Sequence, residues 1–183
     1  MADEQKRGFR RAYLNDFKPD ASGKYHYQGK LYELQGSENE QKRFRFTLAG
    51  GAILALLCVL LPECLPPVPM SRSFITILPW LFQTIAVFTV VWGAGRLTLH
   101  FRELRAYIYE ATVEKLPRRT WIAAIFSICT LLSQLFYLAF YGMPNPWYHS
   151  LARPLFSALS ITICFSYHRF LNQAHWQEKP SVR

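Results

Sequence analysis

Residues 74–95 read FITILPWLFQTIAVFTVVWGAG, with no charged side chain from end to end. At a rise of about 1.5 Å per residue, a helix of that length is about 33 Å long, enough to cross the roughly 30 Å hydrocarbon core of a bilayer. Three further apolar stretches surround it. Phe46 to Leu61 and Thr120 to Gly142 are also uncharged, and Leu151 to Leu171 holds only Arg153 near one end and His168 and Arg169 near the other. A soluble protein can bury one such run as a core helix. Four of them in 183 residues leave too little polar chain to enclose them. The pattern predicts an all-α membrane protein, a four-transmembrane-helix bundle with spans at about 44–62, 74–95, 120–141 and 151–171. Outside this 44–172 domain lie an amino-terminal segment (1–43), a middle loop (96–119) and a tail (173–183).

Orientation follows from Lys and Arg. Residues 1–45 carry ten, the 96–119 loop six and the chain after His168 three, while only Arg72 and Arg153 fall on the other side. Positive charge is retained in the cytoplasm during insertion. Both ends and the middle loop are therefore expected inside, as an even number of spans requires. The net charge of +9 is explained by these helix-flanking cations, so nucleic acid is not an expected partner. The first apolar run follows more than forty polar residues, which is not the pattern of a cleavable signal peptide. A compact chain with such strong charge asymmetry points to a bacterial plasma membrane.

The amino-terminal segment has structure of its own. Phe9, Tyr13 and Phe17 recur every fourth residue among Arg7, Arg10 and Arg11; this reads as a short basic helix on lipid headgroups or as a frayed terminus. Lys24 to Leu34 predicts a β-hairpin turning at Gln28-Gly29, with Tyr25 opposite Tyr32 and Lys24 opposite Glu33. In the middle loop, Leu97, Phe101, Leu104, Ile108 and Ala111 form a narrow apolar stripe at helical spacing. Helix two is expected to run on as an amphipathic cytoplasmic helix to about Lys115, where Leu116-Pro117 stops it. That stripe needs a cover: lipid headgroups, the hairpin, or another protein. Leu97, Phe101, Leu104 and Ile108, with Tyr25, Tyr27 and Tyr32, are the candidate lipid or partner surface. Trp92, Trp121 and Tyr167 form an expected inner interfacial belt, and Tyr137, Tyr141, Trp147 and Tyr148 an outer one.

Polar residues within the spans are the other candidates. Helix three presents Ser127, Thr130, Gln134, Tyr137 and Tyr141 on one face, and helix four Arg153, Ser157, Ser160, Cys164 and His168. Gln83 and Gln134 lie at similar depth and could bond across helices two and three. Glu63 and Arg153 stand near the outer ends of helices one and four. An intramembrane charge usually faces the interior and has a partner, so the two are expected to approach each other or else to snorkel separately to the headgroups. Cys58, Cys64, Cys129 and Cys164 include no CxxC pair, and no His/Cys cluster has metal spacing. No metal or cofactor is expected. No serine-nucleophile, phosphate-loop or dinucleotide motif is present. Three readings of function follow. The first is a non-enzymatic accessory, scaffold or regulatory subunit, in contact with lipid and with another membrane protein or itself. The second is a small oligomeric transporter or channel using the polar faces of helices three and four. The third is an intramembrane enzyme.

Overall fold

The computed structural model describes residues 17–19, 25–27, 29–101, 104–143 and 145–179. Apart from Phe17, the expected helix over 6–17 lies outside them. The chain is mostly helical. Strands β1 (Phe17–Pro19), β2 (Tyr25–Tyr27) and β3 (Leu31–Leu34) precede helix α1 (Glu38–Leu60). Two short 3₁₀ turns, Leu61–Cys64 and Pro69–Arg72, lead to α2 (Phe74–Leu99). Strand β4 (Leu104–Arg105) and the short helix α3 (Ala106–Thr112) then connect to α4 (Leu116–Tyr141). Helix α5 (Trp147–Asn172) and strand β5 (Trp176–Lys179) complete it.

The four long helices pack in a ring, α1 on α2, α2 on α4, α4 on α5 and α5 on α1. Their inner positions are small or β-branched: Ala52, Ala55 and Val59 on α1, Ala86, Val87, Val90 and Ala94 on α2, Ala123 and Ala124 on α4. Their outer positions are large and apolar, among them Leu54, Ile85, Phe88, Leu132, Phe140 and Leu155. This inverts the soluble pattern. In lipid the outer face needs no water, and small inner residues let helices approach closely. By length and composition three segments can cross a membrane: Glu38–Cys64, Phe74–Leu99 and Ala106–Tyr141. Helix α5 is as long as α2 and α4 but more polar.

Local chemistry sets the ends. Ser37 caps α1 in a capping box: its hydroxyl accepts from the Glu40 amide at 3.4 Å while its own amide donates to the Glu40 carboxylate at 2.7 Å. Pro117 sits in the first turn of α4, where a missing N–H costs nothing. It opens that helix rather than closing the one before.

At the end of the bundle opposite the 61–73 connection, the chain builds a three-stranded sheet in the order β4-β3-β5. Leu31 and Tyr32 pair with Arg105 and Leu104, and Leu31–Leu34 pair with Lys179–Trp176, both antiparallel. Two expectations change here. A hairpin is present, but its arms are Phe17–Pro19 and Tyr25–Tyr27, and Tyr25 does not oppose Tyr32. An isolated two-stranded hairpin is marginal in water; β3 instead gains partners on both edges. Helix two does not run on to Lys115 either. It ends at Leu99, and the stripe is buried by other means: Leu97, Phe101, Leu104 and Ile108 are 1%, 7%, 0% and 1% exposed. Strand pairing satisfies the backbone of Leu104 while the sheet covers its side chain, which a helix lying in water could not do. Those four residues are therefore covered by this chain and offer no free partner surface.

Trp176 closes the cover. Its ring packs edge-on to Phe44 (6.0 Å), Phe101 (5.9 Å) and Tyr109 (6.2 Å), and Tyr32 stacks on Tyr109 at 4.1 Å. Tyr27 bridges the same region: its hydroxyl donates to the Lys30 carbonyl and accepts from the Ala106 amide, both at 3.2 Å. Trp176 is half-buried, so Trp176→Ala is expected to weaken local closure by about 2 kcal/mol, below the 3–5 of a fully buried tryptophan. That corresponds to a roughly 30-fold rise in cleavage between Leu99 and Ala106 under limited proteolysis. An unchanged cleavage rate would mean that the tail is not what covers the stripe.

Candidate functional site

The polar residues of the long helices meet inside the ring, in layers. The deepest joins three helices. The Gln83 side-chain amide on α2 donates to Ser127 Oγ on α4 (3.0 Å) and to Ser160 Oγ on α5 (3.2 Å), and the two serines lie 3.1 Å apart. All three are buried. Gln83 does not bond Gln134 across helices two and three. The Gln134 side-chain oxygen instead accepts from Ser157 at 3.0 Å, tying α4 to α5. Both glutamines are buried, and each is taken by serine hydroxyls of the facing helices.

Toward the 61–73 connection the interior opens into a cavity of about 200 Å³. Met70 and Ser71 of the second 3₁₀ turn, Thr76, Ile77 and Trp80 of α2, Gln134 of α4, and the pair Glu63 and Arg153 line it. Of the two arrangements the sequence allowed for Glu63 and Arg153, the structure has the pair. The Arg153 guanidinium donates through Nη1 to Glu63 Oε1. The arginine side chain is 5% exposed and the glutamate side chain 34%. The bridge joins α5 to the turn that ends α1, so the pair is asymmetric: one charge is withdrawn from solvent and the other remains at the mouth. Arg153 Nε is buried and has no hydrogen-bond partner in the protein. Such a donor is costly to leave unmet.

The rest of the lining is already committed. Ser71 Oγ donates to the Val68 carbonyl at 2.7 Å, Thr76 Oγ1 to the Met70 carbonyl, and Trp80 Nε1 to the Val59 carbonyl at 3.3 Å. The two hydroxyls therefore offer a visitor lone pairs rather than protons. Sequence reasoning named Glu63 with Arg153, Gln134 with Gln83, and Thr76 as a polar residue of helix two, but did not join them in one site and did not name Trp80. The 61–73 connection folds Met70 and Ser71 back over the start of α2, and no spacing rule reveals that return.

His168 lies at the opposite end and is half-buried. Its Nδ1 is 2.9 Å from the Pro117 carbonyl and 3.4 Å from Thr120 Oγ1, and its Nε2 is 3.0 Å from the Asn172 side-chain nitrogen. It fastens α5 to the start of α4 and is remote from the cavity in the chain's layout. Of the expected belts, Trp92, Trp121, Tyr141, Trp147 and Tyr148 are exposed, but Tyr137 and Tyr167 are buried at 9% and 5%. Tyr167 donates to the Leu48 carbonyl at 2.7 Å, an interhelical tie rather than an interfacial anchor. Among the described residues, no group of three or more His, Cys, Asp or Glu could hold a metal ion. The four cysteines are free, Cys64 and Cys129 exposed, Cys58 and Cys164 buried. Compared with known proteins, the chain matches no family model, and no curated protein or solved structure shows significant similarity to it.

Proposed function

We propose that all four long helices span a bilayer, a bacterial plasma membrane, with both chain ends cytoplasmic, and that the bundle admits a small polar solute from the outer side. Helix α5 supports the fourth span despite its composition. Its outward residues Leu151, Leu155 and Leu159 are apolar, while Arg153, Ser157 and Ser160 are turned inside. An average along the helix understates how well that outer face suits lipid. The carrying observation for function is the cavity with its buried arginine. An ionised group inside a membrane protein is expensive and marks a binding site or pathway by default. The Gln134–Ser157 layer and the Gln83–Ser127–Ser160 layer continue the polar line from it toward the other end, the arrangement a transporter acting as a homo-oligomer would use. The accessory-subunit reading drew in part on the apolar stripe of the middle loop, and that stripe is buried within this chain.

Orientation is checked with the native Cys64, which is exposed beside Glu63. An impermeant maleimide applied to intact cells is expected to label it, and labelling only after lysis would reverse the topology. Function is checked by flux of small polar solutes into vesicles carrying the protein. Ser71→Trp, which fills the cavity mouth, should abolish flux while the melting temperature stays near that of the parent. If no solute moves and none raises the melting temperature, the site is structural.

A further inference from the structure

The chemistry of the cavity selects a class of solute, and we infer that it is a small zwitterion, a molecule bearing one ammonium and one carboxylate. This rests on the solute-pocket reading above. The site holds one positive and one negative side chain, Arg153 and Glu63, and they satisfy each other. A lone anion on the free Nε edge of Arg153 would set a second carboxylate against one guanidinium, and a lone cation on Glu63 would set a second cation beside the buried Arg153. Either leaves an uncompensated charge, which is the expensive outcome for a withdrawn pair. A neutral polar solute brings no charge to either member of the pair and gains only ordinary hydrogen bonds. A zwitterion adds no net charge: its carboxylate docks on the Nε edge of Arg153, which Glu63 on Nη1 leaves free, and its ammonium pairs with the Glu63 carboxylate.

The remaining groups divide in the same way. A guanidinium edge carrying Nε–H makes a planar fork that matches a carboxylate. The partnerless Nε of Arg153 gives that fork an unmet bond to make. The hydroxyls of Ser71 and Thr76 have given their protons to backbone carbonyls and present only lone pairs, which suit an ammonium. Gln134 has its oxygen occupied by Ser157, which leaves its N–H groups for the carboxylate side. Trp80 has committed its only N–H to Val59 and offers an apolar wall. The volume of about 200 Å³ exceeds the ~150 Å³ of an apolar cavity that takes up benzene, so the site admits ligands of up to about ten heavy atoms.

The test uses the full chain in lipid nanodiscs and equilibrium dialysis against glycine, β-alanine, propionate, ethylamine and glycerol. At least one zwitterion should bind about tenfold or more tighter than propionate or ethylamine, with no detectable glycerol binding. In Glu63→Gln, Arg153 keeps its charge, so preference should pass from the zwitterion to propionate. That reversal reports on a folded site and is not produced by simple loss of structure. Propionate, ethylamine or glycerol binding as well as the zwitterions would overturn the zwitterion assignment and leave the pocket standing. Absence of binding by every probe would overturn both.

Discussion

Glu63→Gln is expected to destabilise the protein by about 2–3 kcal/mol, more than Arg153→Met, which should cost about 1 kcal/mol or less. The order follows from the asymmetry of the bridge. Removing the glutamate charge leaves Arg153, 5% exposed, charged and uncompensated. Removing the arginine leaves Glu63, whose side chain is 34% exposed and can recover water. That same exposure is why the first figure sits below the 3–5 kcal/mol of a fully buried pair. In the double variant the buried charge and its counter-charge both go, so its stability should fall close to that of Arg153→Met. The coupling energy is then about 2 kcal/mol, read from melting or denaturant curves in one detergent. Strictly additive single and double variants would mean that the two groups do not hold each other.

The second large effect comes from adjacent glycines with opposite outcomes. A Cβ on Gly51 would lie 2.7 and 2.8 Å from the Tyr167 ring, closer than real Cβ contacts come. That ring is not free to yield: it is 5% exposed, and its hydroxyl is bonded to the Leu48 carbonyl. Gly51→Ala should therefore cost about 1–3 kcal/mol as overpacking, and Gly51→Leu more. A Cβ on Gly50 would meet nothing within 4 Å. Gly50→Ala should cost nothing and could gain up to about 1 kcal/mol, the helix-interior advantage of alanine over glycine. Equal effects at the two positions would show that α1 and α5 do not pack as described.

These two sites also show what the sequence could and could not convey. Thr47, Gly51 and Ala55 stand four apart, so a close helix approach on that face was legible, because helical period alone places small residues in a row. Which residue filled the gap was not, since Tyr167 looked like an interfacial aromatic until its hydroxyl was seen at Leu48. The inward polar faces of α4 and α5 were legible for the same periodic reason. The Gln83 and Gln134 partners were not, because equal depth says nothing about rotation around each axis. The sheet was hidden most fully. Leu97, Phe101, Leu104 and Ile108 carry a helical period and are all buried; Leu97 and Ile108 are indeed helical, and the helix is interrupted between them, where Leu104 and Arg105 form a strand. Pairing with segments more than 70 residues away along the chain decided it, and no local pattern encodes a partner at that distance.

The order in which that sheet is completed bears on how the protein is made. Strand β5 pairs with β3, yet it is synthesised after all four long helices. About 75 residues separate Leu104 from Lys179, which at ribosomal speeds of about 5–20 residues per second is roughly 4–15 s. Throughout that interval β3 lacks its β5 partner and the Phe101 ring lacks its contact with Trp176. Pairing of β5 with β3 is thus the late step of this fold: the sheet that borders the stripe gains its third strand only after the bundle's helices have been made.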